Sequence, residues 1–218
     1  MDTPTNKPLI LFDIDETLIN TDQLRILQRK TLADTLQKSD EDIANCFIEY
    51  YGDLEKTSDF DPDEFLAFAS EKFGFPLEKL KDAFFQPTNF QMVLYPEVVE
   101  TLANLRNKGY TLGIYSQGIR YSQEYKILVN NLMDFFDQQH RYVLKRKMDP
   151  AVIADLPENT IIIDDKAEVI EFLERFPNVI PLHIVRGEQN HVGEYTLSTL
   201  RDLFPILDTL RNAVDSEQ

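Results

Sequence analysis

The sequence is poor in the residues that build redox sites and structural zinc sites. Its 218 residues include one cysteine, Cys46, and three histidines, His140, His183 and His191. A lone cysteine excludes an intrachain disulfide, and so small a set of ligands argues against a cysteine-rich structural zinc site. Cys46 lies among apolar residues, which favours a small buried side chain over a nucleophile.

Long apolar runs and basic residues are also scarce. No apolar stretch is long enough to cross a membrane, and the polar amino end lacks the apolar core of a signal peptide. The chain has 38 acidic and 22 basic residues, a formal net charge of -16, and no basic stripe. This charge disfavours duplex nucleic acid and anionic membranes as partners. We therefore expect a soluble, cytoplasmic protein that binds neither a nucleic acid polymer nor a membrane, while the oligomeric state stays open.

The most informative segment that is present is LILFDIDETL, residues 9–18. Four apolar residues predict a buried strand, and the polar residues after it mark the edge of a sheet, where open α/β sheets bind ligands. Side chains two apart share one side of an extended chain, so the carboxylates of Asp13 and Asp15 should converge. Because the chain is rich in acidic residues, this pair alone is weak evidence for a catalytic site. It also lacks the glycine and the glutamate of a calcium-binding EF-hand loop.

The texture of the sequence changes over residues 20–89. Apolar residues recur there at helical spacing and no strong strand is present, which predicts an inserted bundle of about four helices. Strands alternate with helices over the remainder, so residues 1–19 and 90–218 are expected to form an α/β core with a doubly wound parallel sheet. The last segment, residues 197–212, is expected to be a helix that bends at Pro205.

Two later strand ends carry polar groups of different kinds. Ser116 and Gln117 follow an apolar strand, where a hydroxyl and free amides could bind a phosphate, although a simple helix cap is an alternative. Lys145 and Lys147 lie in a basic loop after a weak strand. A lysine there could neutralise a phosphate or a nucleophilic aspartate, although solvated loop charges are the simpler interpretation for most of this segment.

The second strong segment is IIIDD, in which an apolar strand again runs into paired carboxylates, Asp164 and Asp165. Adjacent like charges raise the cost of ionising both groups, and a hard divalent cation with oxygen ligands relieves that cost. Two strands that end in paired aspartates, with a serine and a lysine between them, are harder to attribute to chance than either pair alone.

Together these motifs resemble the haloacid dehalogenase (HAD) superfamily of phosphohydrolases, in the members with an inserted helical cap. The matching motifs, in chain order, are Asp13-x-Asp15-x-Thr17, Ser116, a lysine, and Asp164-Asp165. Lys147 fits the third motif better than Lys145, because Lys-Met-Asp-Pro resembles the family's Lys-Pro-Asp-Pro. The sequence departs from the family at Gln117, where asparagine is usual, and at Met148, where proline is usual. The resemblance covers essentially residues 8–210.

The resemblance implies a two-step phosphoryl transfer. Asp13 would attack phosphorus to form an aspartyl-phosphate, and Asp15 would protonate the leaving oxygen and later deprotonate water. Ser116, Gln117 and Lys147 would bind the phosphate oxygens.

The resemblance also implies a bound Mg²⁺. Its ligands would be Asp13, the backbone carbonyl of Asp15, and Asp165. Asp164 would either bind the metal directly or contact one of the groups that bind it. Charge neutralisation and positioning are the main requirements of phosphoryl transfer, which suits this set of residues.

The expected function is that of a magnesium-dependent phosphatase acting on a small phosphomonoester, such as a sugar phosphate or a nucleotide, because a helical lid restricts entry. A carbon–halogen dehalogenase would need Asp13 but no second acid, so Asp15 favours phosphate esters. Two alternatives stay open: a phosphomutase of the same family, and a catalytically silent binding or regulatory module. Four cations of the insertion are candidates to contact an anionic substrate, although solvated helix positions are the simpler interpretation: Arg25, Arg29, Lys30 and Lys56.

Overall fold

The computed structural model describes residues 8–52, 54, 60–187 and 191–216, with side chains up to residue 212. Within these residues the chain forms a parallel sheet of six strands in the order β3-β2-β1-β4-β5-β6. The strands are β1 (Leu9–Phe12), β2 (Thr111–Gln117), β3 (Arg141–Leu144), β4 (Thr160–Asp164), β5 (Val179–Ile184) and β6 (Tyr195–Leu197). The α/β fold class predicted from the sequence is confirmed.

Four helices fill most of the predicted insertion. They are α1 (Thr21–Leu36), α2 (Asp40–Gly52), α3 (Pro62–Phe73) and α4 (Leu77–Phe84). The amide of Gln23 donates to the side chain of Asn20 at the start of α1, and Asp61 caps α3 in the same way. These helices pack around their own apolar cluster, in which Phe65 is fully buried and Cys46 is buried as predicted.

Six further helices connect or follow the strands in the described part of the chain. They are α5 (Pro87–Gln91), α6 (Val98–Asn107), α7 (Arg120–Val129), α8 (Pro150–Ala154), α9 (Ala167–Leu173) and α10 (Leu203–Ser216). The alternation of strand side chains separates two apolar layers. Ile10 and Phe12 of β1 belong to one cluster and Leu9 and Leu11 to the other, so both faces of the sheet are covered.

The register of the central strands determines where the site forms. Phe12 of β1 lies opposite Ile114 of β2 and Ile163 of β4. The residues that follow β1 and β4 therefore leave the sheet side by side, and those at the end of β2 leave next to them. This is the edge at which parallel sheets place their ligands.

The carboxyl-terminal segment differs from the sequence expectation. The continuous helix expected from residue 197 is instead the end of β6, a short 3-10 turn at Leu200–Asp202, and α10. A capping box between Thr199 and Asp202 starts this turn. Pro205 is the third residue of α10, where a backbone amide has no partner within the helix, so the expected bend is not required. Among the described helices, none is long and apolar enough to span a bilayer.

Candidate active site

Three aspartates from two adjacent strands meet at the edge of the sheet. Asp13 follows β1, Asp164 ends β4, and Asp165 comes next in the chain. One carboxylate oxygen from each lies within 4.8 Å of the others. The amide of Asp13 donates to the carbonyl of Ile163 at 2.9 Å, which ties the two strand ends together. The structure therefore brings the two acidic motifs into one cluster.

Lys147 lies inside this cluster and is almost fully buried. Its Nζ is 2.8 Å from Oδ2 of Asp13 and also contacts Oδ2 of Asp164. Burial alone would lower the pKa of Lys147, but the charges of Asp13 and Asp164 more than offset it and hold that pKa above its usual value. Lys147 is therefore a permanent cation between the two acidic strand ends.

The backbone of Lys147 is held by β2. The amide of Lys147 donates to Oε1 of Gln117 at 3.2 Å, and the buried hydroxyl of Tyr115 donates to its carbonyl. Lys145, the alternative from the sequence, is exposed. The geometry thus places Lys147, and not Lys145, beside the aspartates.

The cluster has more negative than positive charge. Burial, followed by the neighbouring carboxylates, raises the pKa of both Asp164 and Asp165. Oδ1 of Asp165 is buried and accepts no hydrogen bond from the described residues. One ammonium against three carboxylates leaves an uncompensated charge, and hard oxygen donors of this kind suit a divalent cation such as Mg²⁺. The residues present therefore fit the metal that the sequence led us to expect.

Asp15 is turned toward a different set of partners. Its carboxylate accepts hydrogen bonds from the Thr21 hydroxyl at 2.5 Å and from Nε2 of Gln123 at 2.7 Å, and it pairs with Nζ of Lys126 at 2.5 Å. Burial raises the pKa of Asp15, but the charge and hydrogen bond of Lys126, with the other two hydrogen bonds, more than compensate, so its pKa lies below the usual value. The side chain of Asp15 lies outside the three-aspartate cluster.

Gln123 connects the serine motif to Asp15. Its Nε2 also donates to Oγ of Ser116 at 3.0 Å and to the carbonyl of Gln117 at 2.9 Å. Gln123 and Lys126 are three residues apart on α7, so they share one face of that helix. Ser116 is fully buried. Neither α7 residue was predicted from the sequence, because both contact a residue more than 100 positions away in the chain.

A cavity of about 330 Å³ opens between this edge and the inserted helices. Its core side includes Asp15, Asp165 and Gln117. Asp13 and Lys147 are buried and are not among its lining residues. Among the four candidate cations of the insertion, Arg25 lines the cavity, Arg29 pairs with Asp40, Lys30 is exposed, and Lys56 is outside the described residues.

The loop that carries the first acidic motif is supported by Arg186, which sequence analysis also missed. Its Nη2 donates to the carbonyl of Thr17 at 2.6 Å, and its Nη1 pairs with Oε1 of Glu97 at 2.5 Å. The guanidinium carbon lies 3.7 Å from the ring centroid of Tyr95, whose hydroxyl donates to Glu16 at 2.9 Å. This network holds the loop in place, because a planar guanidinium can form hydrogen bonds and an ion pair at its edge while it stacks on an aromatic ring with its face.

We expect Arg186→Ala to destabilise the fold by about 3 kcal/mol, because it leaves Glu97 charged and buried without its partner. The free energy of unfolding measured in urea tests this. Arg201→Ala is the matched control, since Arg201 pairs with Glu100 at 3.2 Å while both side chains are exposed, and little change is expected. Equal losses in the two variants would contradict the assignment of Arg186.

A comparison with protein-family models matches residues 10–171 to the haloacid dehalogenase-like hydrolases. The chain belongs to this family. The match spans β1, all four helices of the insertion, and β4 with both acidic motifs. A search among curated protein sequences found no match.

Solved structures similar to this HAD-family chain agree on the fold. A HAD phosphatase from Thermococcus onnurineus has a TM-score of 0.64 at 22% identity, over 92% of this chain and 98% of its own. A HAD-hydrolase from Bacillus subtilis bound to magnesium has a TM-score of 0.65 at 16% identity, over 94% of this chain and 100% of its own. A candidate beta-phosphoglucomutase from Thermotoga maritima has a TM-score of 0.60 at 16% identity, over 93% and 99%. At these identities the likeness shows a shared fold.

Proposed function

We propose that this HAD-family hydrolase is a magnesium-dependent phosphatase that acts on a small phosphomonoester through an aspartyl-phosphate on Asp13. The observation that carries the proposal is the cluster of Asp13, Asp164 and Asp165 around Lys147, beside a cavity that Asp15 lines. Anionic carboxylates repel a phosphate, so this cluster makes chemical sense at a phosphate site only with cations to reverse the local charge. Lys147 is one such cation, and the uncompensated carboxylates call for another.

Asp13, Asp164 and Asp165 are the residues that would hold the metal. When bound, Mg²⁺ supplies positive charge for the phosphate oxygens during transfer. Asp15 would contact the metal only through its backbone carbonyl, because its side chain is engaged by residues of α1 and α7.

Asp13 has the geometry of a fixed nucleophile. Its Oδ1 accepts a hydrogen bond from the amide of Ile14 at 2.8 Å, and its Oδ2 lies 2.8 Å from Nζ of Lys147. Two restraints on one carboxylate prevent it from rotating, which reduces the entropy that must be lost on reaching the transition state. Lys147 would also offset the charge that builds on the transferred group, and Ser116 and Gln117 would bind its remaining oxygens.

Asp15 is suited to move a proton at the leaving oxygen. It lines the cavity and accepts three hydrogen bonds that fix its orientation. With Lys126 beside it, Asp15 is ionised, the form needed to deprotonate water in the second step. An incoming dianionic phosphate would raise its pKa by like-charge repulsion, which favours the protonated form needed in the first step.

Phosphate release from a panel of phosphomonoesters, with Mg²⁺ or with a chelator, tests the proposed function. We expect release that requires the metal and that is lost in the chelated enzyme. A phosphomutase would instead move the phosphoryl group within its substrate without net release, and a silent module would do neither. Either result would reject the phosphatase proposal.

A further inference from the structure

We infer that the leaving group of the substrate carries a planar aromatic or heteroaromatic ring, held by aromatic side chains of the inserted helices. The inference rests on the proposed phosphatase function and names the substrate class of the same site. Its starting point is the cavity, which is lined by Asp15 and Asp165 of the core and by Phe47, Tyr51 and Phe60 of the insertion. An ester substituent that extends from the carboxylates into this cavity shares it with these three rings.

The three rings form a continuous aromatic surface. The ring centroids of Tyr51 and Phe60 are 5.5 Å apart, those of Phe47 and Phe60 are 6.1 Å apart, and those of Phe47 and Tyr51 are 6.3 Å apart. All three are only partly buried, whereas the neighbouring Phe65 is fully buried. The rings of Phe65 and Phe47 are stacked, with their centroids 3.9 Å apart. All three rings line the cavity, where another ring can stack on them or meet them edge to face.

Two polar side chains of α1 border the aromatic surface. Arg25 and Gln28 both line the cavity. Arg25 is largely exposed, and its Nη1 pairs with Oδ1 of Asp22 at 3.0 Å. Nε2 of the buried Gln28 donates to the carbonyl of Phe84 at 3.4 Å, which orients its amide. A heteroaromatic ring with polar edges has hydrogen-bonding groups for such partners.

A polyhydroxylated leaving group suits this wall poorly. Each buried hydroxyl needs a hydrogen-bond partner, and leaving one unpaired costs binding energy. Among the described residues of the insertion, the lining is mostly apolar: Leu24, Phe47, Tyr51, Phe60, Pro62 and Phe84. The volume of about 330 Å³ is at the small end of small-molecule sites, which fits one ring system with a short linker.

Calorimetric binding to the Asp13→Asn protein, with Mg²⁺ present, tests the inference without turnover. The ligands are a nucleoside 5′-monophosphate, 2-phenylethyl phosphate and ribose 5-phosphate. We expect both ring-bearing esters to bind at least about tenfold more tightly than ribose 5-phosphate. This factor corresponds to the binding free energy that a base gains by stacking on one aromatic side chain. Tighter binding of the nucleotide identifies a heteroaromatic ring, and tighter binding of the phenylethyl ester identifies a purely apolar one.

Substitutions connect this preference to the aromatic surface. Tyr51→Leu and Phe60→Leu, each made in the Asp13→Asn protein, should lower the preference for ring-bearing esters about tenfold while leaving ribose 5-phosphate binding unchanged. Phe172→Leu is the matched control, because Phe172 is also a partly buried ring with an aromatic neighbour but does not line the cavity. Its ring centroid lies 5.1 Å from that of Phe176. Equal binding of all three esters, no binding of any, or an effect of Phe172→Leu equal to that of Tyr51→Leu would overturn the inference.

Phosphate release by the wild-type enzyme separates this inference from the proposed function. Equal release from all three esters would overturn the ring preference and leave the phosphatase function standing. Ring-selective binding without any release would reject the phosphatase function and support the aromatic site.

Discussion

We expect Asp13→Asn to abolish phosphate release, with a loss on the order of 10⁴-fold or more, while the protein stays folded. The amide oxygen that replaces the carboxylate is a far weaker nucleophile, and no covalent intermediate can form through it. The two side chains have nearly the same shape, and Lys147 keeps its contact with Asp164. The measurement is the steady-state rate of phosphate release with Mg²⁺, together with the thermal midpoint as a check of folding.

Two further variants make the Asp13 result specific. Asp82→Asn is the matched control, because Asp82 is an exposed aspartate of α4 outside the cavity lining, and full activity is expected. Asp15→Asn should lose most activity on alkyl phosphates but less on an aryl phosphate, whose leaving oxygen needs no proton. Wild-type turnover by Asp13→Asn would remove this residue from the role of nucleophile.

The second large effect concerns stability and pH in the metal-free protein. Burial, followed by repulsion from neighbouring carboxylates that include Asp13, raises the pKa of Asp164 and Asp165, so the folded state binds protons more readily than the unfolded state does. Stability from these two groups therefore increases as pH falls from 8 toward 5, and it is complete only below the ordinary aspartate pKa of about 3.9. The contribution of Asp15 to stability has the opposite pH dependence. Its lowered pKa stabilises the folded protein at neutral pH, and this stability is lost only in more acidic solution.

Addition of Mg²⁺ should reverse this trend. A divalent cation bound by the three carboxylates favours their ionised forms, so it stabilises the protein most at pH 8 and least at pH 5. Thermal midpoints at the two pH values, with Mg²⁺ and with a chelator, measure the difference. Asp165→Asn removes one repelling charge, so the metal-free variant should be more stable than the wild type at pH 8 and should respond weakly to Mg²⁺. A magnesium response that is the same at both pH values, or is unchanged in Asp165→Asn, would contradict the assignment of this cluster.

The acidic motifs were predictable because their placement depends mainly on local sequence. An apolar strand followed by polar residues specifies where the strand ends, and parallel strands bring their carboxyl ends to one edge. Asp13 and Asp164 are therefore neighbours for reasons already present in the sequences LILFD and IIIDD. The preference for Lys147 over Lys145 came only from family resemblance, whereas in the structure the carbonyl and amide of Lys147 are held by Tyr115 and Gln117.

Other parts of the site depend on contacts that are distant in the chain. Lys126 is 111 residues from Asp15, and Arg186 is 169 residues from Thr17. No local pattern distinguishes such a lysine or arginine from a solvated one, because the pairing is decided by how α7 and the end of β5 pack on the core. Strand β6 was missed for a related reason: three residues are too short a run for a periodic signal, and pairing with β5 creates the strand.

The aromatic surface illustrates the same limit. Phe47, Tyr51 and Phe60 were predictable only as apolar residues of the insertion, and the closely similar Phe65 is buried in the helical cluster. The sequence specifies how many aromatic side chains the insertion contains. The packing of the insertion against the core determines which of them line the cavity.

The most direct measurement of the central claim is detection of a phosphoryl group on Asp13 during turnover. The enzyme is mixed with a reactive aryl phosphate and Mg²⁺, quenched with acid within one turnover, reduced with borohydride, and mapped by mass spectrometry. We predict conversion of Asp13 to homoserine, with more conversion in Asp15→Asn, in which deprotonation of the attacking water is impaired. Rapid phosphate release accompanied by an unmodified Asp13 under the same quench would contradict the account.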